Sequence, residues 1–595
     1  MVELRSAAVT NPRWSQHPAD EWSDAIVASM KLGGVDHLFF VSGTEIVFYQ
    51  EAIAKARQRG WPAPDLITVP HEHVALNAAL GAAAASGKPS ALAVHVDVGT
   101  LNTGAAIHTA WKGGYPVLIT AGNAPRAYPR TMPGARDNSV QWVQEPRDQG
   151  EILRQYTKLD HRMEYQDNPG LMVSRLLQVA MSEPKGPVYL SVPLEIAKQP
   201  FPDATTSFPT RDQMGVARPI WPDPSDARRV AQWLIEAANP VIVTGHSGRN
   251  PDSVPELVRL AELLAVPVMD SSRTNRMNFP FNHPLFGTGP RPHEADVILV
   301  FEALVPFTPP REWPRPDAKI AWVDVDPVQS RYKTMEFDAN LWIPSTTRGA
   351  ASAIFEAAAA RLSKSDLHRI EERRARLVER KQELAHQAEE RGKRAGQRRP
   401  INPLWVGYQL GEVLDKDAIL VNDGSLRVYP GRDEPGTYIK SGGSAGGFGS
   451  GAAFGAKIAR PERDVVLATG DGYFMFGSPL VSLWCAAHHK APFLSVVMVN
   501  RSYSTGTQTL ARQYPNGVAV TTGDYTGGLF DPPPDFAKLA EAANGYGETV
   551  REPEDVGPAL RRALKHVRDG TPAVVAVMLP TIPEEMAAGG ELRGE

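Results

Sequence analysis

Val465-Val466-Leu467-Ala468-Thr469-Gly470-Asp471-Gly472, followed further on by Leu494-Ser495-Val496-Val497-Met498-Val499-Asn500-Arg501-Ser502, decides how this chain is read. Val465 to Leu467 is a short β-branched run that ends at Gly470-Asp471-Gly472. Leu494 to Val499 is a second such run, ending at Asn500. Both have the length and composition of buried strands. Between them Leu480, Leu483, Trp484 and Ala487 recur at helical spacing, so the whole reads as strand, helix, strand with a right-handed crossover, a parallel βαβ unit. Ligands of parallel sheets lie beyond the carboxyl ends of the strands, where Asp471 and Asn500 both fall. A carboxylate, a carboxamide and a loop carbonyl such as that of Ser502 form an oxygen-only set suited to a hard cation such as Mg²⁺. Gly470 and Gly472 let backbone N–H groups come close to a phosphate held by the same cation.

Working outward, 595 residues are too many for one hydrophobic core, so several domains are expected. With 42% hydrophobic and 22% charged residues the composition is that of a soluble globular protein. A net charge of −4 and the lack of a long basic run with interleaved aromatics argue against nucleic acid as a partner. The single cysteine, Cys485, can form neither an internal disulfide nor a cysteine metal cluster, which suits a reducing, cytoplasmic setting. Its place in the crossover helix makes it a small core residue. No apolar leader follows Met1-Val2-Glu3-Leu4-Arg5, and no stretch approaches the roughly 18 apolar residues of a membrane span, so no membrane association is expected.

Along the chain, strand and helix patterns alternate, giving an α/β fold of three doubly wound parallel-sheet domains. The expected limits are an N-terminal domain at 1–197, a Pro-containing linker at 198–224, a middle domain at 225–363, a charged, solvated linking helix at 364–402, a C-terminal domain at 403–579 and a mobile tail at 580–595. The first and third domains share a rhythm of strand, polar turn and Ala/Gly-rich helix. In the middle domain Gly245-His246-Ser247-Gly248 lacks a full glycine fingerprint and reads as a tight turn.

Gly470-Asp471-Gly472 with Asn500 at the next strand end resembles the signature of thiamine diphosphate (ThDP)-dependent enzymes. The three-domain order is similar to that of the acetolactate synthase, pyruvate decarboxylase and benzoylformate decarboxylase group. The pattern departs from the family in two ways: Asn500 lies slightly further from Asp471 than the family spacing, and Met498-Val499 precede it where a second Asn is common. The resemblance implies ThDP and Mg²⁺ as cofactors, with Asp471, Asn500 and the Ser502 carbonyl on the metal. Gly424, Ser425, Gly470, Gly472, Tyr473 and Tyr503 would contact the cofactor, the last within a stretch that resembles one of cyclohexanedione hydrolase. In Ala445-Gly446-Gly447-Phe448-Gly449 the Gly446 carbonyl would accept from the pyrimidine amino group, and Phe448 would wedge the two rings into a bent conformation.

Glu72 matches the family's activating glutamate. His95, ending the strand Ser90 to His95, stands where benzoylformate decarboxylase and cyclohexanedione hydrolase carry a histidine toward the reacting carbon. Thr44 falls where decarboxylases place an acidic or hydroxyl residue, with Glu45 beside it as the alternative inward group. Gln144 matches an active-site glutamine of lyases and carboligases in the group. His71 and His73 flank Glu72 in a supporting role. The segment Phe286 to Pro292 lacks the longer loop associated with FAD, so FAD is not expected, while an ADP or CoA role of the middle domain stays open. The implied activity is cleavage or formation of a C–C bond next to a carbonyl, as a 2-oxo acid decarboxylase or lyase with carboligase capability. An acetolactate synthase-like carboligase, a 2-hydroxyacyl-CoA lyase and a non-catalytic binding protein are the alternatives. Substrates would be small carbonyl compounds (2-oxo acid, acyloin or 2-hydroxyacyl-CoA), and the resemblance implies a homodimer or homotetramer with active sites shared between subunits.

Overall fold

In the computed structural model the described residues are 11–271, 274–424 and 426–587. The chain divides into two compact units, residues 1–218 and 219–595.

In the first unit Ser15–Pro18 (β1), His37–Phe40 (β2), Asp65–Thr68 (β3), Ser90–Val94 (β4), Val117–Asn123 (β5), Asp160–Arg162 (β6), Val188–Pro193 (β7) and Thr205–Phe208 (β8) follow in chain order. Six of them form one sheet in the order β3-β2-β4-β5-β7-β6, every pair parallel. β4, β5 and β7 are buried along their whole length, as strands covered on both faces must be, hence their near-continuous apolar sequence. The helix Glu72–Ser86 leads back toward β4, and its alanines are small enough to pack flat on the sheet. β1 and β8 pair antiparallel. Part of the stretch expected as a linker is therefore ordered strand.

The second unit carries two parallel sheets. Pro240–Thr244 (β9), Val268–Asp270 (β10), Val297–Phe301 (β11), Lys319–Asp324 (β12) and Leu341–Pro344 (β13) pair in the order β10-β9-β11-β12-β13. Ile419–Asp423 (β14), Tyr438–Lys440 (β15), Val465–Gly470 (β16), Leu494–Val499 (β17), Tyr546–Val550 (β18) and Ala573–Met578 (β19) pair in the order β15-β14-β16-β17-β19-β18. That order repeats the first unit's: second, first, third, fourth, sixth, fifth. The α/β class with three parallel sheets is thus the one read from the sequence.

Two expectations need correction. Lys364–Ala395 is a single helix of 32 residues, but it is not solvated all round: one face of its first half is buried. Ile370 and Leu377, two turns apart, are buried at 3% and 9% exposure in the core of the middle sheet and its helices. Between them Arg373 donates to the Ala237 carbonyl at 2.9 Å and the Leu264 carbonyl at 2.6 Å, both at helix C-termini that need donors. Two apolar residues make no stripe, which is why the pattern escapes a periodicity search. Within 580–595, Ile582–Ala587 is helical and Glu584 pairs with Arg501 at 2.7 Å, so this part is not a free tail. Residues 588–595 lie outside the described ones. Among the described residues no helix is long and apolar enough to cross a membrane.

Candidate active site

In each outer sheet the strand order reverses between its first and third strands, β2 and β4 in one, β14 and β16 in the other. Loops leave such a switch point in opposite directions and open a crevice beyond the strand ends. The residues singled out in the sequence fall at these two places.

In the second unit β14 ends at Asp423-Gly424 and β16 at Gly470-Asp471. A Cβ built on Gly424 or Gly470 meets nothing within 4 Å, so both turns face open space. Asp471 is 1% exposed. Its carboxylate accepts from Gly472 N at 2.8 Å and Arg501 N at 2.7 Å. Arg501 reaches it because its backbone is left-handed, φ 56°, a conformation that non-glycine residues adopt at some cost. The Arg501 guanidinium turns away to Glu584. Burial pushes the Asp471 carboxyl up to about 6, partly opposed by the backbone donors of Arg501 and Gly472. Asn500 Oδ1 accepts from Ser502 N at 3.1 Å and Asn500 Nδ2 donates to Ser504 Oγ.

Tyr473 and Tyr503 lie against this floor. A Cβ on Gly446 would stand 2.7 Å from the Tyr473 ring, and one on Gly472 would stand 3.1 Å from the Tyr503 ring. Asp423, which the sequence reading passed over, is buried beneath and accepts from Gly449 N at 2.9 Å, at the start of the helix Phe448–Ala459. Burial pushes its carboxyl up to about 6, against the Gly449 and Gly447 amides, and the positive end of the helix favours its charge.

In the first unit β2 leads to Ser42-Gly43-Thr44-Glu45 and β4 to His95. Glu45 is fully buried. Its Oε2 is bound by His95 Nε2 and by Thr44 Oγ1 at 2.6 Å, and its Oε1 accepts from Gln141 Nε2 at 3.3 Å. Burial alone pushes the Glu45 carboxyl up, but the bonds from His95 and Thr44, the His95 charge and the Gln141 bond outweigh it and hold it down at about 2. A carboxyl held below its ordinary 4.5 adds stability that is fully present above that value and is lost as pH falls toward 2. The stability gap between wild type and Glu45→Gln is therefore expected to narrow across that window, which thermal unfolding at stepped pH measures.

Glu72 opens the helix Glu72–Ser86, half-buried, and its Oε2 accepts from Asn102 Nδ2 at 2.6 Å. Its Oε1 would lie 3.4 Å from a Cβ on Gly99, and His95 Cβ would lie 3.5 Å from the same point, so Glu72 and His95 flank the backbone of Gly99 together.

Residues 20–152 match the family described as thiamine pyrophosphate enzyme, N-terminal TPP binding domain. Residues 227–341 match its central domain and 424–577 its C-terminal TPP binding domain. The chain belongs to the thiamine pyrophosphate-dependent enzymes. Within this family it is 28% identical over 533 residues to a benzoylformate decarboxylase of Pseudomonas aeruginosa, covering 86% of this chain and 91% of that one. It is 26% identical over 589 residues to a probable acetolactate synthase of Mycobacterium bovis, with coverage of 93% and 94%. The fold is similar to that of a solved thiamine diphosphate-dependent 4-hydroxybenzoylformate decarboxylase of Rhodococcus jostii, with a TM-score of 0.74, 19% identity and coverage of 95% and 100%.

The second-unit floor fits the family's cofactor. Asp471 is a buried carboxylate with no cationic side chain on it among the described residues, and with the Asn500 amide and Ser502 carbonyl the donors are all oxygen, the chemistry of a Mg²⁺ site. The open space over Gly424 and Gly470 leaves room for a diphosphate. Ser425 lies outside the described residues. Phe448 does not fit its expected role: at 1% exposure it is sealed in the core and has no surface to set against a cofactor ring. The aromatic ring lying on Gly446 is that of Tyr473. Gln144 makes no hydrogen bond to His95 among the described residues. It is buried with its Nε2 unpartnered among the described residues, and the glutamine bonded to Glu45 is Gln141, one short turn earlier.

Proposed function

We propose that this protein is a ThDP- and Mg²⁺-dependent enzyme that cleaves, and in reverse forms, a C–C bond beside a carbonyl, acting as a 2-oxo acid decarboxylase or lyase with carboligase capability. The observation that carries this reading is His95, an imidazole at the switch point of the first unit, bound to buried Glu45 and flanking Gly99 together with Glu72. Support for the 2-oxo acid comes from relatives named benzoylformate decarboxylase, and for carboligation from those named acetolactate synthase. Bound ThDP would supply a nucleophilic carbon and an electron sink for the bond that breaks.

Glu72 holds a proton for the cofactor's pyrimidine, oriented by the bond from Asn102. Asp471, Asn500 and the Ser502 carbonyl hold Mg²⁺, with Gly424, Gly470 and Gly472 beside the diphosphate. His95 gives and takes protons at the substrate. Thr44 spends its hydroxyl on Glu45, so its role is to support His95. FAD has no part in this reading. As the family resemblance implies, the enzyme works as a homodimer or homotetramer with shared active sites, and an active monomer on size-exclusion chromatography would contradict that. Measuring CO₂ release against acyloin formation on a panel of 2-oxo acids and 2-hydroxyacyl-CoAs tests the reaction. CO₂ release from a 2-oxo acid is expected, whereas cleavage of 2-hydroxyacyl-CoAs alone would replace this reading with that of an acyl-CoA lyase.

Gly446→Ala tests the placing of the cofactor. The added methyl forces the Tyr473 ring aside, and since that ring is 37% exposed it has somewhere to go. The expected result is a half-saturating ThDP concentration raised several-fold, with a melting temperature within about 3 °C of wild type.

A further inference from the structure

We propose that Glu45 is the positioning residue of His95: it takes the Nε2 edge of the imidazole and leaves Nδ1 as the atom that exchanges protons with substrate. This rests on the reading of His95 as the proton-moving group.

The geometry is over-determined. An ionised carboxylate only accepts, so each group on Glu45 must donate to it. Three separate segments supply the donors: Thr44 Oγ1, His95 Nε2 and Gln141 Nε2. The Gln141 amide cannot be turned round, because its Oε1 accepts from Asp137 N at 2.9 Å and Asn138 N at 3.3 Å. Nε2 of His95 therefore carries a proton whenever Glu45 is charged. The ring is also held from behind: a Cβ on Gly43 would fall 2.4 Å from His95 Cδ2, and one on Gly122 would fall 2.6 Å from the His95 carbonyl and 3.0 Å from Glu45 Cβ. Both glycines serve this close approach, which any larger residue would block. Among the described residues nothing hydrogen-bonds His95 Nδ1, and the side chain keeps 23% of its surface exposed. When Nδ1 gives its proton to substrate, Nε2–H stays on Glu45, Glu45 stays a carboxylate, and solvent returns one proton to Nδ1. The buried carboxylate orients and is not consumed, the division of labour seen whenever a carboxylate fixes an imidazole tautomer.

Two measurements test this on the full-length, ThDP- and Mg²⁺-loaded protein. In ¹⁵N-histidine NMR, with His95 assigned by its loss in His95→Asn, the neutral ring should carry its proton on Nε2 and leave Nδ1 bare. A bare Nε2 overturns the proposal, and this result stands even if Glu45 variants do not fold. With benzoylformate and pyruvate as probes, Glu45→Gln should lower kcat about 100-fold while KM stays within about threefold and calorimetric ThDP affinity is unchanged. In a His95→Ala background Glu45→Gln should do nothing more, since its effect passes through the missing ring. Multiplying effects would show that Glu45 acts independently of His95 and would sink the proposal. Full activity of His95→Ala would remove the reading beneath it, whereas an inactive His95→Ala beside a fully active Glu45→Gln would remove only the role of Glu45.

Discussion

Glu72→Gln is expected to lower turnover about a thousandfold while leaving ThDP affinity within about threefold of wild type. The substitution keeps the size of the side chain and the acceptor that Asn102 Nδ2 uses, and Glu72 is only half-buried, so the fold loses little. On the proposed role, what goes is the exchangeable proton beside the cofactor's pyrimidine. The residues proposed to hold the diphosphate belong to the second unit and are untouched. Steady-state kcat on a 2-oxo acid, paired with calorimetric titration of ThDP, separates the two effects. Retained turnover would remove Glu72 from the mechanism.

Asp471→Asn should have opposite effects on the protein with and without its cofactor. Asp471 is a buried carboxyl raised by burial from 3.8 to about 6, so at neutral pH carrying its charge in the fold rather than in water lowers stability by about 3 kcal/mol. An acid raised in the folded state favours folding less as pH climbs through that range. Removing the charge is therefore expected to leave the cofactor-free protein as stable as wild type or more so at pH 7, with the advantage shrinking at pH 4, even though Asn keeps only one of the two backbone bonds. In the presence of Mg²⁺ and ThDP the order reverses: wild type gains stability on loading, while Asp471→Asn binds ThDP at least about 100-fold more weakly. Melting temperatures with and without the cofactors at both pH values are the check. A variant destabilised without cofactor, or one that loads normally, would show that Asp471 is a structural carboxylate and no metal ligand.

The two strand-end turns could be read in the sequence because parallel sheets announce themselves by apolar runs that stop at glycine and a polar residue. Asp471, Asn500, Glu72 and His95 all lie at or just past an element end, as that logic places them. Partnerships across long separations could not be read. Glu45 and His95 are 50 residues apart, and nothing local shows that β2 and β4 become neighbours at the switch point. Gln141 could not be picked out as a partner of Glu45, because a single 3₁₀ turn, Ser139–Trp142, sets which way it faces. Asp423 escaped notice although it directly precedes Gly424, since its partner, the amide of Gly449, opens a helix 26 residues further along the chain. Phe448 misled for a related reason. A residue that opens a helix beside a glycine loop can point into the core or out of it, and only packing decides; here it points in, and Tyr473 lies on Gly446.

The measurement that bears most directly on the whole account is calorimetric titration of ThDP into the cofactor-stripped protein, with and without Mg²⁺. Saturable binding of one ThDP per chain is expected, requiring the divalent cation and lost in Asp471→Asn. Absence of binding under both conditions, or binding indifferent to Mg²⁺ and to Asp471, would contradict it.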